Sequence, residues 1–391
     1  MTVSIIIAAK ACCENLRECV SKCLELDTST ASELYPSGQE RQTPLSINPE
    51  RPIRQAQGRP EQAKRAEGRS RRVDSEDYEI IILPDSRITQ EGILSHSRVR
   101  IIPTGDVTPP KKRDIGAKEA KGEILAFLDD DAYPKKDWLK EAVNIFKESE
   151  KFGCVCGPAV TPQDDSILQK GSGLVYASPL VSGNHNFRYI PGPRREVFDF
   201  PSCNFLIRKD LFSDIGGFDK PFWPGEDTFL CLKVLEAGVK MVYSPRVQVY
   251  HHRRNLFKGH LKQIKSYALH RGYFAKKYPK TSLRLEYFIP SIFVIALLTG
   301  GISSLSSSLA SSIYFLILTM YLVLILASSL SLVFDFKESR MNRIKLLFLT
   351  VSGIFLTHIT YGVYFIKGLF AKKMSEEKCI QSPSPKGRGA G

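Results

Sequence analysis

The chain has 391 residues, of which 43% are hydrophobic and 25% charged, and a formal net charge of +14. These values exclude a wholly disordered chain and fit a globular protein with one large domain plus an appendage. The nine cysteines, among them the pairs Cys12/Cys13, Cys19/Cys23 and Cys154/Cys156, show neither two well-spaced CxxC pairs nor a histidine partner. That usage argues against structural zinc and fits a reducing compartment.

In chain order, "VSIIIAA" reads as a buried strand and "ENLRECVSKCLEL" as an amphipathic helix. The first apolar run is too short for a secretory signal, so the large domain is expected in the cytoplasm. Residues 28–75 are rich in Pro, Gln, Arg and Glu with few large apolar side chains. They read as a disordered insert, and without interleaved aromatics this basic run gives no nucleic-acid site. Strands return at "YEIIIL", which runs toward Asp85, and at "RVRIIP". A helix around "KKRDIGAKEAKG" and the strand "EILAFL" follow, the latter ending at Asp129, Asp130 and Asp131. Strands alternating with helices imply an α/β fold with a mostly parallel sheet, whose ligands gather beyond the carboxyl ends of the strands.

Three adjacent carboxylates repel one another unless a cation arrives. A hard divalent ion, Mg²⁺ or Mn²⁺, takes oxygen ligands of this kind and keeps positions open for substrate phosphates. An acidic triplet alone is more often a solvated turn, here with Asp130 or Asp131 capping the helix suggested by "PKKDWLKEAVNIF". Further on, "CVCGPAVTP", "EVFDFPSCNFLIRKDLF" and "GGFDKPFWPGEDTFLCLKVLEAG" suggest more strands, a loop-built cleft and one good helix.

Residues 251–285 carry ten Lys and Arg and no Asp or Glu, whereas residues 287–334 carry no charge at all. The uncharged run is long enough for two membrane spans with a Ser-rich turn near residues 303–312, and Leu346 to Ile366 could form a third. Pro290, Gly300 and Gly301 leave the first span open to being short or re-entrant. In the basic neck, Phe257, Leu261, Ile264 and Ala268 share one helical face beside Lys258, Lys262 and Lys265, a pattern suited to an anionic membrane surface. The expected division is therefore a catalytic domain over 1–27 and 76–255, a disordered insert over 28–75, a juxtamembrane segment over 256–285, a transmembrane region over 286–370 and a polar tail over 371–391. By the positive-inside rule, the catalytic domain lies on the cytoplasmic face of a multi-pass inner-membrane protein.

The ordered set of a strand–helix start, Asp85, "KRDIGAKEAKGEILAFLDDDAYP", "CNFLIRKDLFSDIGGFD" and "WPGEDTFLC" resembles the inverting family-2 glycosyltransferases of GT-A fold. The resemblance implies that Asp129 and Asp131, with Asp130 between them, form the DxD motif holding a metal on the donor diphosphate, with His251 or His252 completing the metal site. It implies Asp85 as the nucleoside-binding aspartate, Arg113 beside the donor, and Asn204 and Trp223 on the acceptor side. Asp227 of "GED" is then the general base, with Glu226 beside it. Ala8, Ala11, Cys12 and Pro84 depart from the residues usual around the nucleotide base.

The expected activity is thus metal-dependent transfer of a sugar, with inversion, from a nucleotide sugar to a lipid-linked or cell-envelope glycan acceptor. A catalytically silent membrane scaffold retaining the fold is the alternative from another class. A nucleotidyltransferase comes third, because it needs paired aspartates but gives no reason for "GED".

Overall fold

The computed structural model describes residues 1–27, 78–219, 222–334, 336 and 338–374. The insert expected over 28–75 and most of the expected polar tail lie outside the described residues. The first half is built from β1 (Val3–Ala8), α1 (Glu14–Leu24), β2 (Tyr78–Leu83), β3 (Val99–Ile101), α2 (Pro109–Glu119) and β4 (Ile124–Asp129). Strands β3, β2, β1 and β4 are parallel neighbours, with Ala8 opposite Asp129 in the register of β1 on β4. Ile5, Ile6, Ile7, Ile81, Ile82 and Leu128 are all buried, because a parallel sheet covered on both faces makes its strands continuous apolar runs.

Beyond β4 come β5 (Ala132–Pro134), α3 (Trp138–Glu148), β6 (Phe152–Cys156), β7 (Ala159–Val160), α4 (Ile167–Ala177) and α5 (Pro179–Ser182). They are followed by β8 (Arg195–Val197), β9 (Asn204–Arg208), α6 (Lys209–Asp214), α7 (Glu226–Glu236), β10 (Lys240–Tyr243) and β11 (Val249–His251). The eight-stranded sheet has the order β3-β2-β1-β4-β9-β6-β10-β8, with β9 antiparallel to both β4 and β6. A second sheet, β5-β11-β7, has three short strands and stands where β4 ends.

The carboxyl-terminal part is helical: α8 (Lys258–Lys277), α9 (Pro279–Ser282), α10 (Ile289–Ser303), α11 (Ser308–Phe334) and α12 (Arg340–Phe370). Among the described residues two helices, α11 and α12, are long and apolar enough to cross a membrane, while α10 has 15 residues. The neck reading needs a correction. The apolar face of α8 is not open to a lipid surface, since Ile264 and Ala268 are buried and α12 packs along the helix. The approach is close because glycines stand on both sides: Gly272 lies against the Phe365 carbonyl and Gly368 against the Leu269 carbonyl, with no room for a Cβ at either. Lys258, Lys262 and Lys265 of α8 remain exposed.

Candidate active site

β4 delivers Asp129 at the carboxyl edge of the large sheet, and the chain then turns through Asp130 and Asp131 into β5. β11 pairs antiparallel with β5, setting His251 opposite Ala132, and the His252 amide donates to the Asp131 carbonyl at 2.9 Å. The small sheet thereby brings a residue 120 positions away in sequence onto the aspartate turn. One side-chain atom from each of Asp129, Asp131 and His251 lies within 4.8 Å of the others. Two carboxylate oxygens and an imidazole nitrogen make a donor set that fits a divalent ion of the Mg²⁺ or Mn²⁺ type with further positions left for phosphate oxygens.

The electrostatics of the turn match that fit. Asp130 is pushed up to about 7 by burial and by the charges of Asp131 and Asp129. Burial alone would raise Asp131, but His251, with Nε2 at 3.0 Å from Oδ1, holds it below the usual carboxylate range. His251 in turn is drawn upward by Asp131 against the cost of its own burial. His252 sits beside this cluster, between Asp165 at 2.5 Å and Glu18 at 2.9 Å, so it pins α1 to the small sheet and is the histidine outside the metal group.

Two cations on α2 organise the carboxylates at these strand ends. Lys112, buried, donates to the Ala9 carbonyl at 2.5 Å and pairs with Asp85. Sequence reasoning missed this lysine, whose only signal was its place next to Arg113 in "KKRDIGAKEAKG". The Arg113 guanidinium bridges the two acidic motifs, reaching Asp129 Oδ1 at 2.6 Å and Glu226 Oε1 at 3.1 Å. Glu226 is buried and also accepts from the Gly225 amide at 3.0 Å. Burial and the neighbouring Asp227 push its carboxyl up to about 7 against the pull of Arg113. Asp114, at the position after Arg113, accepts from the Phe218 amide at 2.9 Å and so ties α2 to the "GGFD" turn.

Asp227 stands in the first turn of α7, partly buried, with Oδ1 accepting from the Thr228 amide at 2.8 Å. Burial and Asp199 raise its pKa, while Arg271 and Arg188 oppose the rise. Trp223 is 47% exposed on the approach to this helix. Asn204 requires a correction. Its side chain is fully buried, with Nδ2 donating to the Gly157 and Val247 carbonyls at 2.8 Å each and Oδ1 accepting from Trp138 at 2.9 Å. With its donors and acceptor engaged in joining β9 to the loops beside β6 and β11, it cannot line an acceptor cleft.

Residues 64–216 match the family model described as Glycosyl transferase family 2. The chain carries a family-2 glycosyltransferase domain. The matched segment begins inside the sequence insert, so β1 and α1 join the domain in space from outside it. Over 151 residues the chain is 29% identical to the pre-mycofactocin glycosyltransferase of Mycobacterium tuberculosis, covering 37% of this chain and 30% of that protein. The chain thus spans under a third of that relative's length. A second relative, from Methanococcus voltae, is a dolichyl N-acetyl-alpha-D-glucosaminyl phosphate 3-beta-D-2,3-diacetamido-2,3-dideoxy-beta-D-glucuronosyltransferase. It is 23% identical over 261 residues, covering 65% of this chain and 73% of that one. In fold, the chain is similar to a mannosyltransferase of Pyrobaculum calidifontis solved with GDP-Man and Mn²⁺. The TM-score is 0.50 at 15% identity, over 95% of this chain and 88% of that one. The GT-A architecture expected from the motifs is therefore the observed one.

Proposed function

We propose that this protein is a membrane-anchored, metal-dependent, inverting glycosyltransferase that moves a sugar from a nucleotide-sugar donor to a lipid-linked or cell-envelope glycan acceptor. The observation that carries the reading is the convergence of Asp129, Asp131 and His251 within 4.8 Å, joined through Arg113 to the "GED" turn. Asp129, Asp131 and His251 would hold the ion, which supplies charge stabilisation at the departing diphosphate. Asp85, fixed by Lys112, holds the nucleoside. Arg113 keeps Asp129 and Glu226 in register, so a change at either motif is felt at the other. Asp227, ionised, takes the proton of the incoming hydroxyl at one carboxylate oxygen, a contribution of about 10²–10⁴-fold. Its position in the first turn of α7 favours the ionised form against the effect of burial.

The two relatives bearing transferase names, one of them acting on a dolichyl phosphate substrate, and the Mn²⁺-bound mannosyltransferase support donor class, metal and acceptor class alike. α11 and α12 support the anchor, and the basic flanks support a cytoplasmic catalytic domain by the positive-inside rule. The test is release of nucleoside diphosphate by the detergent-solubilised protein, screened over a panel of nucleotide sugars with Mg²⁺ or Mn²⁺ and lipid-linked acceptors. Turnover of one donor that stops with chelator is expected. A protein that binds no nucleotide sugar and turns over none is instead the silent scaffold.

A further inference from the structure

Two arginines that act on Asp227, Arg188 and Arg271, have hydrogen-bonding capacity that is poorly used. Arg188 and Arg271 share one carboxylate, Asp199, at 3.4 Å and 3.8 Å, and the side chains are 14%, 22% and 12% exposed respectively. Charge-assisted pairs normally close to about 2.7–2.9 Å, so neither guanidinium is drawn tightly onto the Asp199 carboxylate. Arg188 Nη2 has a second acceptor in the Asp199 carbonyl, but its buried Nε has no hydrogen-bond partner among the described residues. Arg271 adds one contact, from Nη1 to Ser282 Oγ at 3.2 Å, and its guanidinium lies 4.7 Å over the Tyr287 ring. Buried donors in folded proteins are nearly always satisfied, and planar guanidinium groups match phosphate oxygens in pairs.

The place of this pair is as telling as its chemistry. The Phe274 ring packs onto Gly225, the residue before "ED", leaving no room there for a Cβ. Arg271 is one turn earlier on the same helix face of α8, which brings it beside the first turn of α7. Burial disfavours ionised Asp227, and both Arg271 and Arg188 act on it in the opposite sense. Tyr287, beneath Arg271, stands two residues before α10 begins the apolar region.

We propose that Arg188 and Arg271 seat a phosphate group of the acceptor, beside Asp227 and at the foot of the apolar helices. The assignment rests on the glycosyltransferase reading above and narrows it to acceptors that carry a phosphate or diphosphate near the hydroxyl that is glycosylated. A phosphate there engages guanidinium donors that Asp199 holds only loosely, holds the acceptor by its charged end, and lets an apolar tail run toward α10 and α11.

The test uses the full chain in detergent, without divalent metal or nucleotide, titrated calorimetrically with a polyisoprenyl phosphate, the matching polyisoprenol and inorganic phosphate. The phosphorylated lipid is expected to bind at least about tenfold more tightly than the alcohol. That preference should vanish in Arg188→Gln and Arg271→Gln, shrink in Arg271→Lys, which keeps the charge but not the fork, and persist in Lys262→Gln, an exposed position on α8. Thermal unfolding of each variant checks the fold, and if a Gln variant fails to fold, Arg271→Lys decides. Equal affinity for lipid and alcohol in the wild type, or a preference that survives every arginine change, overturns the proposal. So does an equal loss in Lys262→Gln, which would mark surface charge as the cause. Displacement of the lipid by an equal concentration of inorganic phosphate overturns the acceptor assignment in favour of free phosphate. Because metal and donor are absent, the lipid preference stands or falls independently of donor turnover.

Discussion

The proposed donor and acceptor sides of this domain handle charge differently. On the donor side Lys112 sits on Asp85, and Arg113 spans Asp129 and Glu226 at 2.6 Å and 3.1 Å, so each buried cation has a close carboxylate. On the acceptor side Arg188 and Arg271 stand off from a single shared carboxylate at 3.4 Å and 3.8 Å. A site with its charges already matched is built to present fixed geometry to a ligand that brings its own cation. A site with spare donors is built to be completed by an anion. The first kind should lose function or fold sharply when one partner is removed, and the second should lose ligand preference with little loss of fold.

The largest effect is expected at the base. Asp227→Asn should lower transfer by about 10²–10⁴-fold with donor binding nearly unchanged, because the amide matches the carboxylate in size but accepts no proton. Glu226→Gln is the matched control and should be milder, since Glu226 acts through Arg113. If Glu226→Gln proves the more damaging with the fold intact, the roles of the two neighbours are reversed. Arg113→Ala should be the harshest change to stability, by about 3–5 kcal/mol in denaturant unfolding, because it strands two carboxylates, one of them buried. An unchanged midpoint would show that the bridge is dispensable.

A smaller effect, and the one that ties the two sides together, is expected in pH dependence. Burial raises the pKa of Asp227 and Arg271 opposes the rise, so activity should fall as pH drops through that pKa. Arg271→Gln removes the opposing cation and should move the acid limb of the pH–rate profile to higher pH. A limb that stays in place, or moves down, would separate Arg271 from the base. The smallest effect belongs to deletion of residues 28–75, rejoining Asp27 to Glu76: cooperative unfolding and activity should both survive, since that composition buries too little apolar area to offset its ordering entropy. Loss of the unfolding transition would make the segment part of the core.

The two sides also differed in how far the sequence revealed them. β1, β2 and β4 are continuous apolar runs because they are central parallel strands, and Asp85 and the aspartate triplet mark the strand ends where ligands bind. The metal group was visible as residue types, but what joins it, the pairing of β11 with β5, involves three residues on each strand and leaves little local pattern. α4 went unread as a helix because Gly171 and Gly173 lower its propensity, and Gly173 is needed there because Thr161 leaves no room for a side chain. Asn204 was assigned to a cleft by its place in the motif, although nothing in the local sequence tells a buried amide from a ligand-facing one. The apolar face of α8 was legible as a face, but its partner, α12, lies some hundred residues further on. Arg188, Asp199 and Arg271 come together from a short 3₁₀ helix (Gly183–Arg188), a loop and α8, so no spacing announces them.

The most direct test of the central claim is the metal dependence of donor binding in wild type and Asp131→Ala, measured by calorimetry with and without Mn²⁺. Wild type should bind its nucleotide sugar tightly only with the ion. Asp131→Ala should lose at least about 100-fold of that affinity while remaining folded, since loss of even an outer-shell partner costs 10–100-fold in metal affinity. Donor binding of equal strength with and without Mn²⁺ in both proteins would contradict the account.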